Sequence, residues 1–396
     1  MGRPTLAIVH PRLGFGGSEA PVLWGIEALK RDFDVTLITG GPVDLDRLNR
    51  YYGTRLAPGD FRVLQAPMPP GLARSGKFAG LHGAFVQRCV RRVAPEFDVM
   101  IGGYGPGNFS KPGIQYISDF SFMYEWRTDL DPAVAKERTW WYGDTLLRRC
   151  YTRLCHAVHA PKGDAWRRNR TLAISGWCTK VLKERLCVEA ETLYPPVTGA
   201  FPYVPWEKRE NGFVCIGRVV PEKRMDAVIR ILEKVRENGH NVHLHILGGL
   251  DDSPFGAKIR AMAASRKWVS LEGRTFGPKK IDLIAGHRFA INGRENEPFG
   301  IAPAETVKGG CITFVPNSGG QVEIVNHPAL TFSDDDDAVK KICAVLSGSS
   351  LQETLRRHLA AQSRLFTVEN FQAGLRRIVF EFLSLPIAQR VNDGRS

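Results

Sequence analysis

The strongest constraint on this 396-residue chain is a rhythm that runs, stops and starts again. Short apolar runs alternate with segments of helical periodicity. "TLAIVH" reads as a buried strand, "PRLGFGGSEA" as the loop after it, and Leu23, Ile26 and Leu29 then share one helical face. "FDVTLITG", "FDVMIGGYG", "GIQYIS" and "RTLAISGW" continue the strand series. Then "LYPPVTGAFPYVPWEKRENG" puts four prolines between Pro195 and Pro205, an extended connector unsuited to a helix. After it the alternation resumes with "GFVCIGRVV", helices near 225–237 and 254–266, "VHLHILGG", "WVSLEG", "FAING", a helix near 300–308 and "CITFVP". Strands alternating with helices form parallel sheets covered on both faces. The chain is therefore expected to be α/β with two domains, 1–200 and 201–368. A helix at about 369–386 comes after the second sheet has closed and is free to pack back on the first domain.

Composition narrows the class. No apolar run approaches the roughly 18 residues of a membrane span, and the five-residue run in "MGRPTLAIVHP" is too short for a signal peptide. The eight cysteines are scattered with no CxxC, which suits a reduced, cytoplasmic protein. A net charge of +13 favours an anionic partner. Between Phe61 and Pro95 there are six basic residues and no acidic one. There Phe78, Leu81, Phe85 and Cys89 share a helical face, as in a helix that rests on an anionic membrane. The opposing reading is an ordinary amphipathic helix. "RTWWYGD" and "DAWRRNR" mix arginine with aromatics as single-strand binders do, but helix packing explains them as well, and nucleic acid is disfavoured.

Two stretches carry the chemistry. In "CIGRVVPEKRMDAVI" a strand ends at Gly217, with Arg218 and Lys223 on either side of a turn before a helix. Ligands of an open parallel sheet bind beyond the carboxyl ends of its strands, and two cations there suit a diphosphate. In "GRENEPFGIAPAETVKGGCITFVP" the helix starting near Pro298-Phe299-Gly300-Ile301 presents free amides to an anion. Anion binding alone would not want Glu297 beside it. A ligand that is part phosphate and part polyol would, with Glu305 one turn on available for a ribose. The loop Gly14 to Glu19 allows close backbone approach, and Ser18 is placed to cap the next helix, but GxGG-S-E is not a dinucleotide fingerprint.

"GFGGSE", "GRVVPEKRMDAVI" and "ENEPFGIAPAETVKGGCITFVPNSGGQVEIV", in that order, resemble the family-4 glycosyltransferases, the large group whose fold is two facing Rossmann-like domains (GT-B). The resemblance covers most of the second domain and the first loop, and is weaker between about 45 and 170. It implies that Arg218 and Lys223 hold a nucleotide diphosphate, Glu297 touches the transferred sugar and Glu305 the ribose. The amides of Phe299, Gly300 and Ile301 grip sugar and phosphate, Gly16 and Gly17 approach the donor, and Arg274 and Thr275 meet the base. Where the family often has a histidine, this chain reads Ser118-Asp119, which puts Asp119 in the acid-base position. The implied activity is retaining, metal-independent transfer of a hexose from a nucleotide-diphosphate sugar to a glycan or lipid-linked acceptor in cell-surface polysaccharide synthesis. No cofactor is implied, and the location is cytoplasmic or peripheral at the inner membrane face. A nucleotide-sugar epimerase, a donor-binding module without catalysis and a nucleic-acid binder are the alternatives.

Two features argue against metal at this stage. "SDDDDAVKKI" reads as a capped helix start rather than a metal cluster. His243 and His245 point to one face of a strand, but the sequence offers them no further ligands.

Overall fold

The computed structural model describes residues 2–74, 78–123, 127–130, 145–159 and 165–385. Two parallel sheets organise them into two compact units. In the first, β1 (Thr5–Val9), β2 (Asp34–Thr39), β3 (Arg62–Gln65), β4 (Val99–Gly102), β5 (Ile114–Ile117), β6 (Arg170–Ala173) and β7 (Glu191–Thr192) lie in the order β3-β2-β1-β4-β5-β6-β7. In the second, β8 (Glu210–Ile216), β9 (His243–Leu247), β10 (Val269–Gly273), β11 (His287–Ile291), β12 (Ile312–Pro316) and β13 (Thr331–Phe332) take the order β10-β9-β8-β11-β12-β13.

The central strands are largely apolar because helices bury both of their faces. Leu6, Ala7, Phe213 and Phe289 are fully enclosed, as are Leu23, Ile26 and Leu29 on the helix Glu19–Leu29. Edge strands escape this rule. β3, three of whose four residues are exposed, and the two-residue β7 and β13 have no apolar run to mark them.

The first unit contains the described residues up to 123, 145–196 and 368–385; the second contains 127–130 and 197–367. The division falls at Pro196/Val197 rather than at 200/201. Val197 N donates to Phe366 O at 2.9 Å, and Lys308 Nζ donates to Val197 O at 2.7 Å, which ties the connector to the second unit. The helix Val368–Ser384 belongs to the first unit. Phe371 and Leu375 are buried there, Leu375 closes on Gly25, Phe371 meets Tyr116 edge-on at 6.5 Å, and Arg376 donates to Ala28 O and pairs with Asp32.

The apolar face expected on the helix within 61–95 is only partly free. The helix Ala79–Val93 buries His82, Val86, Cys89 and Val90 in the core. Leu81 and Phe85 are half-buried, and the helix Leu146–His159 lies against this one, with Tyr151 OH accepting from Leu81 N at 2.9 Å. Lys77, Asp164 and the stretch 138–144 fall outside the described residues.

Candidate functional site

An open parallel sheet binds ligands where its strand order reverses, because the connections there leave in opposite directions and open a crevice. In the second unit that point lies between β8 and β11. The loop after β8 carries Arg218 and Lys223, and the loop after β11 carries Glu297. Lys223 Nζ sits 2.5 Å from Glu297 Oε2, and Arg294 Nη1 sits 3.2 Å from Glu297 Oε1. The Lys223 and Glu297 side chains are only 17% and 12% exposed. Burial pushes the Glu297 carboxyl up, but Lys223, Arg294 and Arg218 outweigh it and hold the acid below its ordinary range. Arg218 is exposed, and its side chain has no hydrogen-bond or ion-pair partner among the described residues. The sequence stretch thus places one buried carboxylate among three cations, one of them with its donors unspent.

The chain is held in this shape by its neighbours. Gln321, fully buried, accepts from Asn292 Nδ2 at 2.6 Å and donates to Arg294 O at 2.7 Å. Gly320 N donates to Glu297 O at 2.8 Å, and Ser318 Oγ accepts from Asn296 N at 2.9 Å. Gly319, at φ +77°, runs so close that an added Cβ would lie 2.4 Å from Glu297 O. Gly300, at φ +105°, opens the helix Ile301–Lys308, whose first-turn amides have no capping side chain. Phe299 is buried edge-on against Phe366 at 5.3 Å. Its side chain anchors the helix start.

Other expected donor residues stand apart from the Glu297 group. Glu305 takes Lys280 Nζ on both oxygens, at 2.7 and 2.6 Å, and is 13% exposed. Lys280, on the helix Gly277–Gly286, escaped the sequence reading because nothing local marks a lysine as the partner of an acid 25 residues away. Arg274 and Thr275 follow β10 at the sheet edge. Arg274 is exposed beside the Phe276 ring, and Thr275 Oγ1 donates to Glu272 O and Gly273 O.

In the first unit the order reverses between β1 and β4. After β1 comes the glycine loop. Gly14 N and Ser18 Oγ both donate to Glu19, and Tyr52 OH donates to the carbonyls of Gly14 and Gly16. Gly16 and Gly17 are exposed. Ser18 does not cap the helix through its side chain, contrary to expectation. Its backbone is already helical (φ −79°, ψ −19°), and its hydroxyl is drawn to His10 and Glu19 instead. Asp119, after β5, accepts from Tyr104 OH at 3.3 Å and from Ser121 N at 2.9 Å. Tyr104 follows β4 and packs on His10 at 5.6 Å. Burial and the Asp119 charge push the Tyr104 phenol up to about 12, and burial lowers His10 to about 4. His10, Tyr104 and Asp119 thus form a row along the carboxyl ends of three adjacent strands. Only Asp119 was legible beforehand.

The aspartate run behaves as a helix start. Asp334 Oδ1 accepts from Asp337 N at 2.8 Å and caps the helix Asp335–Ser347. The histidine strand does not stay ligand-poor. Glu210 and His287, from β8 and β11, join His243 and His245 with all four potential ligand atoms within 4.8 Å of one another. Burial lowers His243, and lowers His287 to about 4.

Residues 201–364 match the family described as glycosyl transferases group 1. The mouse (Mus musculus) alpha-1,3/1,6-mannosyltransferase ALG2 is 27% identical over 198 residues, 43% of this chain and 48% of that protein. The GDP-Man:Man(3)GlcNAc(2)-PP-Dol alpha-1,2-mannosyltransferase of Eremothecium gossypii is 27% identical over 190 residues, 44% of this chain and 31% of that protein. The matched part thus spans about half the length of these relatives or less. Among solved structures, the lipopolysaccharide-biosynthesis glycosyltransferase WaaG superposes with a TM-score of 0.65 at 16% identity, covering 94% of this chain and 99% of that one, which is a likeness of fold. The chain therefore has the GT-B fold of two Rossmann-like domains, and residues 201–364 of its second domain are similar to the glycosyl transferases group 1 family.

Proposed function

We propose that this chain is a retaining glycosyltransferase that moves a hexose from a nucleotide-diphosphate sugar to a glycan or lipid-linked acceptor in cell-surface polysaccharide synthesis. The observation that carries this reading is the Glu297 group, a buried carboxylate paired with Lys223 beside an unpartnered Arg218 and an uncapped helix N-terminus. A phosphate-only ligand would be repelled by Glu297. A sugar diphosphate uses both kinds of group, with phosphate oxygens on Arg218, Lys223 and the amides of Gly300 and Ile301, and sugar hydroxyls on the carboxylate. The relatives' mannosyltransferase names support a hexose and make GDP-mannose the first donor to try.

The mechanism follows from where charge moves. Breaking the bond between anomeric carbon and phosphate leaves negative charge on the departing diphosphate and positive character on the ring. Arg218, Lys223 and the helix amides stabilise the first, and the anionic Glu297 offsets the second. The acceptor oxygen forms its bond to the anomeric carbon on the face the diphosphate leaves, and the acceptor proton passes to a departing phosphate oxygen. Because fixed cations meet the leaving charge, the transfer is proposed to need no metal. Glu305, tied to Lys280, is assigned to the ribose, Arg274 and Thr275 to the base, Gly16 and Gly17 to the donor, and Asp119 with Tyr104 to the acceptor hydroxyl.

The test is thermal unfolding with GDP, UDP, ADP and dTDP, then their sugars, with no added divalent metal. At about 100 times its dissociation constant the right nucleotide adds about 2.7 kcal/mol, an upward shift of roughly 5 °C or more. Arg218→Ala is expected to abolish that shift while leaving the unliganded melting point within about 1 °C, since an exposed, unpartnered side chain contributes little to folding. A shift that survives in Arg218→Ala removes the diphosphate assignment. Stereochemical analysis of the product then decides retention, and release of an epimerised nucleotide sugar without acceptor would favour an epimerase.

The acid-free segment 61–95 supports peripheral contact with an anionic membrane. Phe78 is 47% exposed, and the adjoining helix Leu146–His159 exposes Leu146 and Leu147 at 77% and 78%. No helix among the described residues is long and apolar enough to cross a membrane. The chain is expected to sediment with anionic vesicles at low salt and to be released as salt rises, because such attraction decays over a Debye length of about 10 Å at 0.1 M. Equal binding to uncharged vesicles, or none to either, counts against it.

A further inference from the structure

The carboxyl ends of the second sheet carry the donor residues, and its opposite edge carries a second cluster that the transfer chemistry does not use. Glu210 opens β8, His243 and His245 lie on β9, and His287 opens β11, so three adjacent strands contribute. Register brings them together: Gly212 pairs with His243, and Glu210 with His287. A glycine inside a strand weakens it unless something must come close. Here the reason is visible, because a Cβ on Gly212 would lie 2.2 Å from His243 Nε2. The His243 ring fills the space that a side chain at 212 would take, and it meets the other two imidazoles with ring centroids 4.7 to 5.2 Å apart.

The spacings suit a metal. Four ligands at about 2.0–2.1 Å from a tetrahedral zinc stand roughly 3.3 Å from one another. His243 Nε2 lies 3.1 Å from His287 Nε2 and 3.2 Å from Glu210 Oε2, and His287 Nε2 lies 3.9 Å from that same oxygen. The outer shell is also in place. His287 Nδ1 is 2.6 Å from Leu283 O, and His245 Nδ1 is 2.8 Å from Glu272 Oε1, whose other oxygen meets Lys279 Nζ at 2.8 Å. Such partners hold the Nδ1 proton and turn each Nε2 lone pair inward. The Glu210 side chain is 62% exposed and leaves a way in for an ion.

We propose that Glu210, His243, His245 and His287 form a structural site for a divalent first-row metal ion, zinc by preference, which ties β8, β9 and β11 together at their amino-terminal ends. Three imidazoles and one carboxylate suit zinc, and four protein ligands close the shell, the mark of a structural rather than a catalytic ion. β8 has seven residues, so at about 3.3 Å each the site lies roughly 20 Å from Arg218. The ion therefore takes no part in glycosyl transfer, and the inference stands whether or not the proposed function does. Its effect is on the scaffold, because β8 and β11 are the strands whose far ends hold the Arg218 and Glu297 loops.

The test is a titration of the full chain, stripped with a chelator, by Co²⁺ and then Zn²⁺. One Co²⁺ per chain with the intense visible absorption of tetrahedral cobalt is expected, bleached by one Zn²⁺ and accompanied by a rise in melting temperature. His243→Gln and His245→Gln should each weaken Zn²⁺ binding at least 100-fold, and Glu272→Gln, which touches no metal, by about 10–100-fold. Nucleotide-induced shifts should persist in all three. Absence of stoichiometric binding by the wild type overturns the proposal even if the variants do not fold. So does binding that is unchanged in folded His243→Gln and His245→Gln, which would mark adventitious surface sites.

Discussion

Lys223→Ala is expected to lower turnover by about 10²–10³-fold, the usual loss when one preorganised charge is removed from a site where charge develops. The same change should destabilise the second domain by about 2–4 kcal/mol. Breaking a buried pair costs about 3–5 kcal/mol when the orphaned charge has no other support, and here Arg294 remains 3.2 Å from Glu297. The pH dependence has a definite sign. Glu297 titrates below its ordinary value, so its pairing adds stability above about pH 4.5, and that stability is lost as pH falls through the folded-state value. The melting temperatures of wild type and variant should therefore lie far apart near neutrality and converge in acid. A gap that stays constant with pH, or turnover within threefold of wild type, would mean that the Lys223–Glu297 pair neither holds the loop nor meets the donor.

Gly319→Ala should damage the same site without touching any charged group. The residue sits at φ +77°, where an L side chain costs about 1–2 kcal/mol. Its Cβ would also approach Glu297 O at 2.4 Å and Glu297 N at 2.6 Å, and backbone atoms cannot swing away as a side chain would. The 296–297 segment must move. Because a displacement of about 1 Å at a reacting centre costs on the order of 100-fold in rate, turnover should fall by at least that factor while the chain still folds. Gly286→Ala is the control, since its Cβ would meet nothing within 4 Å. Equal activity in the two variants would show that the backbone around Glu297 can shift freely.

Much of this architecture was legible because parallel strands buried on both faces leave continuous apolar runs, and because proline-rich connectors interrupt them. Arg218, Lys223 and Glu297 were legible for a related reason: they follow strands, and strand ends are where ligands bind. What stayed hidden depends on lateral order. That β8 neighbours both β9 and β11 cannot be read along the chain, and this adjacency alone brings Glu210 and His287 to His243. Reading "HLH" by itself gave two histidines without further ligands, whereas the structure supplies two more from 33 and 42 residues away on either side. Lys280 on Glu305 and Tyr104 on Asp119 were missed in the same way. Ser18 fitted the capping pattern, but the pattern does not register the competing acceptors that fold up beside it.

The return of the helix Val368–Ser384 to the first domain bears on how the chain comes to be folded at all. Arg376 pairs with Asp32, 344 residues earlier. At a synthesis rate of about 5–20 residues per second, the first sheet, whose last strand ends at Thr192, waits on the order of 10–40 s for the helix that covers Tyr116 and the Gly25 face. During that interval the second domain, residues 197–367, is itself being made between the two parts of the first. Vectorial folding therefore cannot finish the amino-terminal domain first, and its exposed apolar face is a natural target for a chaperone on the nascent chain.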